Sequence, residues 1–119
     1  MMKRHVYLTR RVTFCAGHRL YNKHLSEEEN VKLFDKCSNK HGHGHNYQLF
    51  ITLKGVPDML TGMVMNTADL VKIVQEQVLT PMDHSFLDLD IPEFAELQST
   101  MENLTIVIWD RLKPFLPDL

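Results

Sequence analysis

Residues 43 to 54 carry the feature that most restricts the fold: apolar side chains recur there at every second position, without a turn signal. Side chains on a β-strand point to alternate faces, so a period of two places these residues on one side. The pattern predicts a half-buried strand from about His43 to Lys54. Its apolar face is formed by Tyr47, Leu49, Ile51 and Leu53.

Two further strands are predicted around this one. Residues 5 to 15 alternate in the same way, with Val6, Leu8, Val12 and Phe14 on one face. The segment 61 to 65 follows a turn and suggests a short returning strand. Between the two long strands, the polar stretch 22 to 34 is expected to be a loop with a helical turn at residues 26 to 29.

The second half of the chain has the period of helices. Apolar residues at every fourth position predict a helix over residues 67 to 79, which Pro81 is expected to stop. Residues 82 to 94 are expected to form a loop. A second helix is predicted from about Glu102 to Phe115, with Ser99 and Glu102 forming a capping box at its start.

This order of elements predicts the α+β class, with two helices on one face of a small antiparallel sheet. The length of 119 residues predicts a single domain over residues 1–119. A sheet of this size leaves exposed strand edges, so assembly with other subunits would stabilise it.

Composition excludes several classes of protein. The net charge is −2, with 13 Lys and Arg against 15 Asp and Glu, so a nucleic-acid partner is not expected. No apolar run approaches the roughly 18 residues of a membrane span, and the N-terminus lacks the apolar block of a signal peptide. We therefore expect a cytoplasmic protein without a membrane partner, in which both cysteines are free thiols.

The strongest chemical signal is the run His41-Gly42-His43-Gly44-His45. On a strand, His43 and His45 point the same way, and His18 at the end of the first strand could join them by antiparallel pairing. Three imidazole nitrogens without a thiolate suit Zn²⁺ and leave its fourth position open. Two alternatives stay open at this point: an accidental His-x-His pattern and a weak, adventitious metal site. His41 is left unassigned.

Five segments of the chain resemble, in order, the motifs of the 6-pyruvoyl/6-carboxytetrahydropterin synthase family. The segment around His18 resembles the motif with its first zinc histidine, and the segment from Cys37 resembles its Cys-x5-His-x-His motif. The insert at residues 22 to 34 resembles the animal-type 6-pyruvoyl enzymes. The five segments are Phe14–Leu20, Cys37–Tyr47, Gly62–Asn66, Leu79–Asp90 and Ser99–Asn103.

The resemblance implies an enzyme with a tunnelling fold (T-fold), in which three subunits close their sheets into a barrel and two trimers stack into a hexamer. It implies zinc as the cofactor and the active site between subunits. The implied reaction converts 7,8-dihydroneopterin triphosphate into 6-pyruvoyl-tetrahydropterin with release of triphosphate, in tetrahydrobiopterin biosynthesis. This reaction is an internal redox step, and the sequence lacks a glycine-rich dinucleotide motif.

The resemblance also implies roles for individual residues. Cys37 would be the base that removes a carbon-bound proton, its thiolate favoured near a cation. Asp83 and His84 would form a second proton-transfer pair. Glu102 and Thr100 would lie against the pterin. Cys15 fits an interior strand position and is assigned no role.

The family fold calls for a closing strand pair after the second helix, one strand of which carries a pterin-anchoring glutamate. Neither strand is expected within this sequence, so pterin recognition and trimer closure depend on closing strands from elsewhere. Two alternative functions stay open: a 6-carboxytetrahydropterin synthase on the same scaffold, and a catalytically silent, truncated zinc-binding subunit.

Overall fold

The computed structural model describes residues 3–117. Its two long strands, β1 (Val6–His18) and β2 (His43–Gly55), pair antiparallel along their whole lengths, from Val6 opposite Gly55 to His18 opposite His43. A two-residue strand, β3 (Ser85–Phe86), pairs parallel to β1, which gives the order β2-β1-β3. The sheet is therefore mixed, and only its long pair is antiparallel.

The helices are α1 (Glu27–Phe34), α2 (Thr67–Val74) and α5 (Met101–Leu112), with the short α3 (Thr80–Met82) and α4 (Leu87–Asp90) between them. Tighter 3₁₀ turns cover Asp35–Ser38, Pro92–Ala95 and Lys113–Phe115. The α+β class is confirmed. Within residues 3–117, α5 is followed by the 3₁₀ turn Lys113–Phe115.

The core lies on one face of the β1–β2 ladder. The buried residues of β1 are all even-numbered and those of β2 all odd-numbered, and they share one core cluster with residues of α2 and α5. This confirms the predicted alternation of both strands, although Val6 is 41% exposed. Fully burying one such leucine contributes about 1.5–3 kcal/mol. The core residues least exposed to solvent include Leu53, Leu70, Val74, Val78, Met82 and Leu87.

Residues 22 to 34 contain more helix than predicted. Ser26 caps α1: its hydroxyl accepts the Glu29 N–H at 3.1 Å, and the Glu29 carboxylate accepts the Ser26 N–H at 3.3 Å. This reciprocal pair satisfies two N–H groups that a helix start leaves free. The predicted turn therefore extends to an eight-residue helix.

The predicted returning strand at residues 61 to 65 is wrong. Asp58 organises a turn there, since its carboxylate accepts the N–H groups of Leu60 and Thr61 at 2.8 and 3.0 Å. The Asp58 backbone N–H also donates to the Met63 carbonyl at 2.9 Å. These bonds hold the backbone in a turn, and the half-buried Val64 and Met65 pack against the core.

Pro81 does not stop the helix as predicted. The helix runs from α2 through a π-helical turn, Gln75–Leu79, into α3, which ends at Met82. Proline has no N–H for the Gln77 carbonyl four residues before it. The guanidinium of Arg111 donates to that carbonyl instead, at 3.3 Å, so a side chain of α5 replaces the missing bond.

The stretch 82 to 94 was also predicted as plain loop, whereas it holds β3, α4 and a 3₁₀ turn. None of the helices between residues 3 and 117 has the length and apolar character required to cross a bilayer.

Candidate metal centre and the residues around it

Three histidine side chains converge where β1 ends and β2 begins. His18 lies directly opposite His43 in the ladder, and His45 is two residues further along the same face of β2. The Nε2 atoms of His18 and His43 are 3.0 Å apart, and those of His43 and His45 are 2.8 Å apart. We call His18, His43 and His45 the histidine triad. Its ligand atoms all lie within 4.8 Å of one another.

The His18 ring is fixed in one orientation. Its side chain is buried, and Nδ1 lies 2.8 Å from the carbonyl oxygen of Ser99. A carbonyl only accepts hydrogen bonds, so Nδ1 carries the proton and Nε2 keeps its lone pair. That lone pair points toward His43, as a metal-binding imidazole requires.

His43 is held in its neutral form. Burial lowers the pKa of His43 most, and the positive charges that His18 and His45 would carry lower it further. A neutral imidazole is the form that binds a metal ion. The Nδ1 atom of His43 is buried and, among residues 3–117, has no hydrogen-bond partner.

The triad fits a tetrahedral metal ion. Three nitrogens bound at about 2.0–2.1 Å to such an ion lie about 3.3 Å from one another. The observed separations of 2.8 and 3.0 Å differ from this by a few tenths of an ångström. The triad can therefore form a metal site, and its role stays a prediction at the level of individual residues.

Cys37 lies close to the triad in the chain but outside it. The residue is half-buried in the 3₁₀ turn Asp35–Ser38, and its carbonyl accepts the N–H of Leu20 at 2.7 Å. This bond ties the turn to the segment just after His18. Among residues 3–117, the group of atoms close enough to share one metal ion contains three imidazoles and no thiol. Cys37 is therefore not one of the triad's metal-binding groups, and its role as a base stays a prediction.

Asp83 and His84 form a pair, with Nδ1 of His84 3.1 Å from Oδ1 of Asp83. Both are fixed to β1: Asp83 accepts the N–H of Cys15 at 2.9 Å, and the N–H of His84 donates to the Cys15 carbonyl at 2.6 Å. The bond from Cys15 is the main cause that lowers the pKa of Asp83, with His84 adding to it. The carboxylate is thus ionised and can orient the exposed imidazole.

The Asp83–His84 pair lies at the edge of β1 that faces β3, since both residues are bonded to the backbone of Cys15. Neither residue belongs to the group of atoms that could share a metal ion with the triad among residues 3–117. Cys15 is exposed and donates to the Asn46 side chain at 2.8 Å, so its predicted interior position is wrong. A cavity of about 380 Å³ there is lined by Cys15, Asn46, His45 and His84.

Thr100 and Glu102 lie at the start of α5, but not as the predicted capping box. The N-cap is Thr100, whose hydroxyl accepts the Asn103 N–H at 3.2 Å, whereas Ser99 is buried and bonded elsewhere. Glu102 is exposed and lines a cavity of about 260 Å³ together with Tyr47. The Tyr47 ring lies 5.8 Å from the His45 ring, so this cavity borders the triad.

Sequence reasoning missed Ser99 and Asp88 as residues that serve the site. Ser99 supplies the carbonyl that orients His18, and the Asp88 carboxylate accepts the Ser99 hydroxyl at 2.7 Å. Asp88 belongs to one of the recognised motif segments, but nothing in the local pattern indicates a partner 11 residues away.

Comparisons with known proteins agree with this geometry. A solved structure of the Caenorhabditis elegans 6-pyruvoyl tetrahydropterin synthase superposes with a TM-score of 0.91 at 39% identity, covering 98% of this chain and 83% of that one. The fold expected from the resemblance is thereby confirmed.

Sequence comparisons point to the same group. The 6-pyruvoyl tetrahydrobiopterin synthase of Homo sapiens is 54% identical over 110 residues, which are 92% of this chain and 76% of that protein. The protein of the same name from Poecilia reticulata is 49% identical over 111 residues, which are 93% and 76% of the two chains. The sequence profile described as 6-pyruvoyl tetrahydropterin synthase matches residues 7–119. The chain therefore belongs to the 6-pyruvoyl tetrahydropterin synthase family, a family of lyases, as its motifs predicted.

Proposed function

We propose that this protein binds Zn²⁺ through the histidine triad and converts 7,8-dihydroneopterin triphosphate into 6-pyruvoyl-tetrahydropterin, with release of triphosphate, in tetrahydrobiopterin biosynthesis. The observation that carries the proposal is the convergence of three imidazole nitrogens in a member of this family. Three neutral nitrogens without a thiolate are the ligand set of catalytic zinc.

Zinc would act as a Lewis acid that makes the protons next to the side-chain hydroxyls of the substrate more acidic. The proton transfers fall to the chain's own residues. Sγ of Cys37 accepts a proton from a side-chain carbon of the substrate. The imidazole of His84, held at Nδ1 by the Asp83 carboxylate, exchanges a second proton through Nε2. Hydrogen moves from the side chain to the ring, so no external oxidant or reductant is needed.

The active site lies between subunits in this proposal. The Asp83–His84 pair is bonded to the β3 side of β1, whereas two of the three triad histidines belong to β2 on the other side of β1, and the pair lies outside the group that could share a metal ion with the triad among residues 3–117. A second copy would supply it. The predicted homo-oligomer is a trimer that pairs into a hexamer once closing strands are supplied. In this arrangement catalysis would require it, because two subunits contribute residues to one active site.

The shape of the chain supports assembly. Its radius of gyration is 17.9 Å, against roughly 13.5 Å for a compact domain of this length, and it extends over 63 Å. The β1–β2 ribbon exposes large apolar side chains along its length: Tyr7 is 69% and Phe50 58% exposed. An isolated two-stranded ribbon is marginally stable in water, so packing against other copies would stabilise it.

A cavity of about 850 Å³, lined by Arg19, the residue after His18, and by Lys23, Lys40 and His41, would receive the triphosphate. The acidic Asp88 and Glu96 line it as well, and the Lys23 ammonium lies 3.5 Å from the Glu96 carboxylate. We therefore expect Arg19 and Lys40 to bind the polyphosphate anion. Glu102 and Thr100 would contact the pterin, since the cavity that Glu102 lines borders His45 through Tyr47. Both cysteines are free thiols, which supports the reducing cytoplasm as the location.

The test is turnover of 7,8-dihydroneopterin triphosphate by the purified zinc-loaded chain, with products identified by mass spectrometry. We expect 6-pyruvoyl-tetrahydropterin and free triphosphate. His43→Ala should abolish the reaction, whereas His5→Ala, a change of an exposed histidine outside the triad, should leave it unchanged. A carboxypterin product would establish the 6-carboxytetrahydropterin synthase, and absence of triphosphate release would establish the silent zinc-binding subunit.

A further inference from the structure

Both oxygens of the Asp88 carboxylate are used for bonds to distant parts of the chain. Oδ2 accepts the backbone N–H of Arg19 at 2.6 Å, across 69 residues. Oδ1 accepts the hydroxyl of Ser99 at 2.7 Å, across 11 residues. Asp88 lies in α4, so one short helix holds the end of β1 and the segment that leads into α5.

Ser99 connects this carboxylate to the histidine triad. Ser99 is fully buried, and its carbonyl oxygen lies 2.8 Å from Nδ1 of His18. Arg19, the other partner of Asp88, is the residue after His18. Asp88 therefore fixes both the backbone next to His18 and the carbonyl that orients the His18 ring.

The start of α4 does not need Asp88 as a hydrogen-bond acceptor, because the neighbouring Asp90 fills that role. The Asp90 carboxylate accepts the N–H of Phe86 at 2.8 Å, which satisfies a free N–H at the start of α4. Asp88 makes no such local bond among the side-chain bonds of residues 3–117.

We propose that Asp88 is a positioning residue of the metal centre. Through Ser99 and the Arg19 N–H, it keeps His18 protonated on Nδ1 with the Nε2 lone pair aimed at His43. The inference rests on the proposed metal role of the triad. Residues that orient a metal-binding histidine typically change metal affinity about 10–100-fold when they are replaced.

The test compares Asp88→Asn with Asp90→Asn in the whole chain. An asparagine keeps the shape of Asp88, but its NH₂ group cannot accept a hydrogen bond, so either Arg19 or Ser99 loses its acceptor. Zn²⁺ is titrated against a chromophoric chelator, and the tautomer of His18 is read by ¹⁵N NMR in the metal-free protein. We expect Asp88→Asn to bind Zn²⁺ about 10–100-fold more weakly and to show a mixed His18 tautomer. Asp90→Asn should stay within about threefold of the wild type with an unchanged tautomer.

Unchanged affinity and tautomer in Asp88→Asn would overturn the inference, as would equal losses in both variants, which indicate a destabilised α4. If Asp88→Asn does not fold, Ser99→Ala is the second variant: it removes the hydroxyl that Asp88 accepts, which also lies 3.4 Å from Nδ1 of His18, and it leaves the Ser99 carbonyl in place. We expect a loss of about tenfold there, and no loss would overturn the inference. Zn²⁺ binding without turnover would sink the proposed reaction and leave this inference standing.

Discussion

Removal of the Arg111 guanidinium should destabilise the fold where α5 meets the π-helical turn. Arg111 makes two bonds to the Glu93 carboxylate, at 2.6 and 2.7 Å, and one to the Gln77 carbonyl at 3.3 Å. The Arg111 side chain is 20% exposed and that of Glu93 is 37% exposed. We expect Arg111→Met to lower the free energy of unfolding because all three bonds are lost.

The magnitude follows from the exposure of the two partners. A desolvated hydrogen bond to a charged group contributes about 1.5–3 kcal/mol, and an exposed ion pair about 0.2–1 kcal/mol. Because Glu93 is more than a third exposed, we expect a coupling of about 1–1.5 kcal/mol between the two residues. The freed Gln77 carbonyl adds about 0.5–1 kcal/mol to the loss in Arg111→Met.

The coupling should depend on pH. The hydrogen bonds from Arg111 are the main cause that lowers the pKa of Glu93. A carboxyl with a lowered pKa in the folded protein stabilises it above the unfolded pKa, near 4.5. This contribution is lost as the pH falls through the folded pKa. The difference between wild type and Arg111→Met should therefore be full at pH 7 and shrink below about pH 4.5.

The assay is urea unfolding, followed by circular dichroism, of metal-free protein. The wild type, Arg111→Met, Glu93→Gln and the double variant form a cycle that isolates the coupling. Lys113→Met is the matched control, since Lys113 is a basic residue at the end of the same helix whose ammonium lies 5.6 Å from the Trp109 ring. A coupling below about 0.3 kcal/mol would show that the Arg111–Glu93 pair does not stabilise the fold. A coupling that stays constant down to pH 3.5 would show that it does not depend on ionised Glu93.

Three further predictions concern the site and its supports. Cys37→Ala should abolish turnover and leave zinc content intact; loss of zinc would make the thiol a ligand. Gly42→Ala should weaken Zn²⁺ binding, because φ of Gly42 is +71° and a Cβ there would lie 2.7 Å from the His18 carbonyl. Gly62→Ala is the control: Gly62 has the same φ, but a Cβ there meets no atom within 4 Å. Gly62→Ala should therefore cost about 1–2 kcal/mol of stability and leave the Zn²⁺ affinity unchanged. Ser26→Ala should remove about 1 kcal/mol by uncapping α1, measured by urea unfolding, and an unchanged midpoint would contradict the cap.

The two long strands and the histidine triad could be predicted because both follow from the two-residue alternation of side chains along a β-strand. Alternation fixes which residues of β1 and β2 share a face, and antiparallel pairing then brings His18 opposite His43. The four-residue spacing of Leu70, Val74 and Val78 predicted in the same way that one face of a helix is buried, and all three residues are buried.

The misplaced elements depend on partners that are distant in sequence. Ser99 and Thr100 are both residue types that cap helices. Thr100 caps α5, because the Ser99 hydroxyl is bonded to the Asp88 carboxylate. Pro81 stays in a helix because Arg111, 30 residues later, binds the freed carbonyl. β3 has two residues, too few for a periodic signal.

The position of Asp83 and His84 could not be predicted from the sequence for a related reason. The motif indicates that the two residues act together, and the structure pairs them. Their place at the edge of β1 depends on how β3 pairs with β1, which the sequence does not show. The assignment of residues 1–119 to one domain stays a prediction.

X-ray absorption spectroscopy of the zinc-loaded protein measures directly whether the histidine triad holds the metal. We expect a zinc shell with three imidazole nitrogens at about 2.0–2.1 Å, completed by a light atom from solvent, and one imidazole fewer in His18→Ala. A sulfur scatterer at about 2.3 Å, or a shell that is unchanged in His18→Ala, would contradict it.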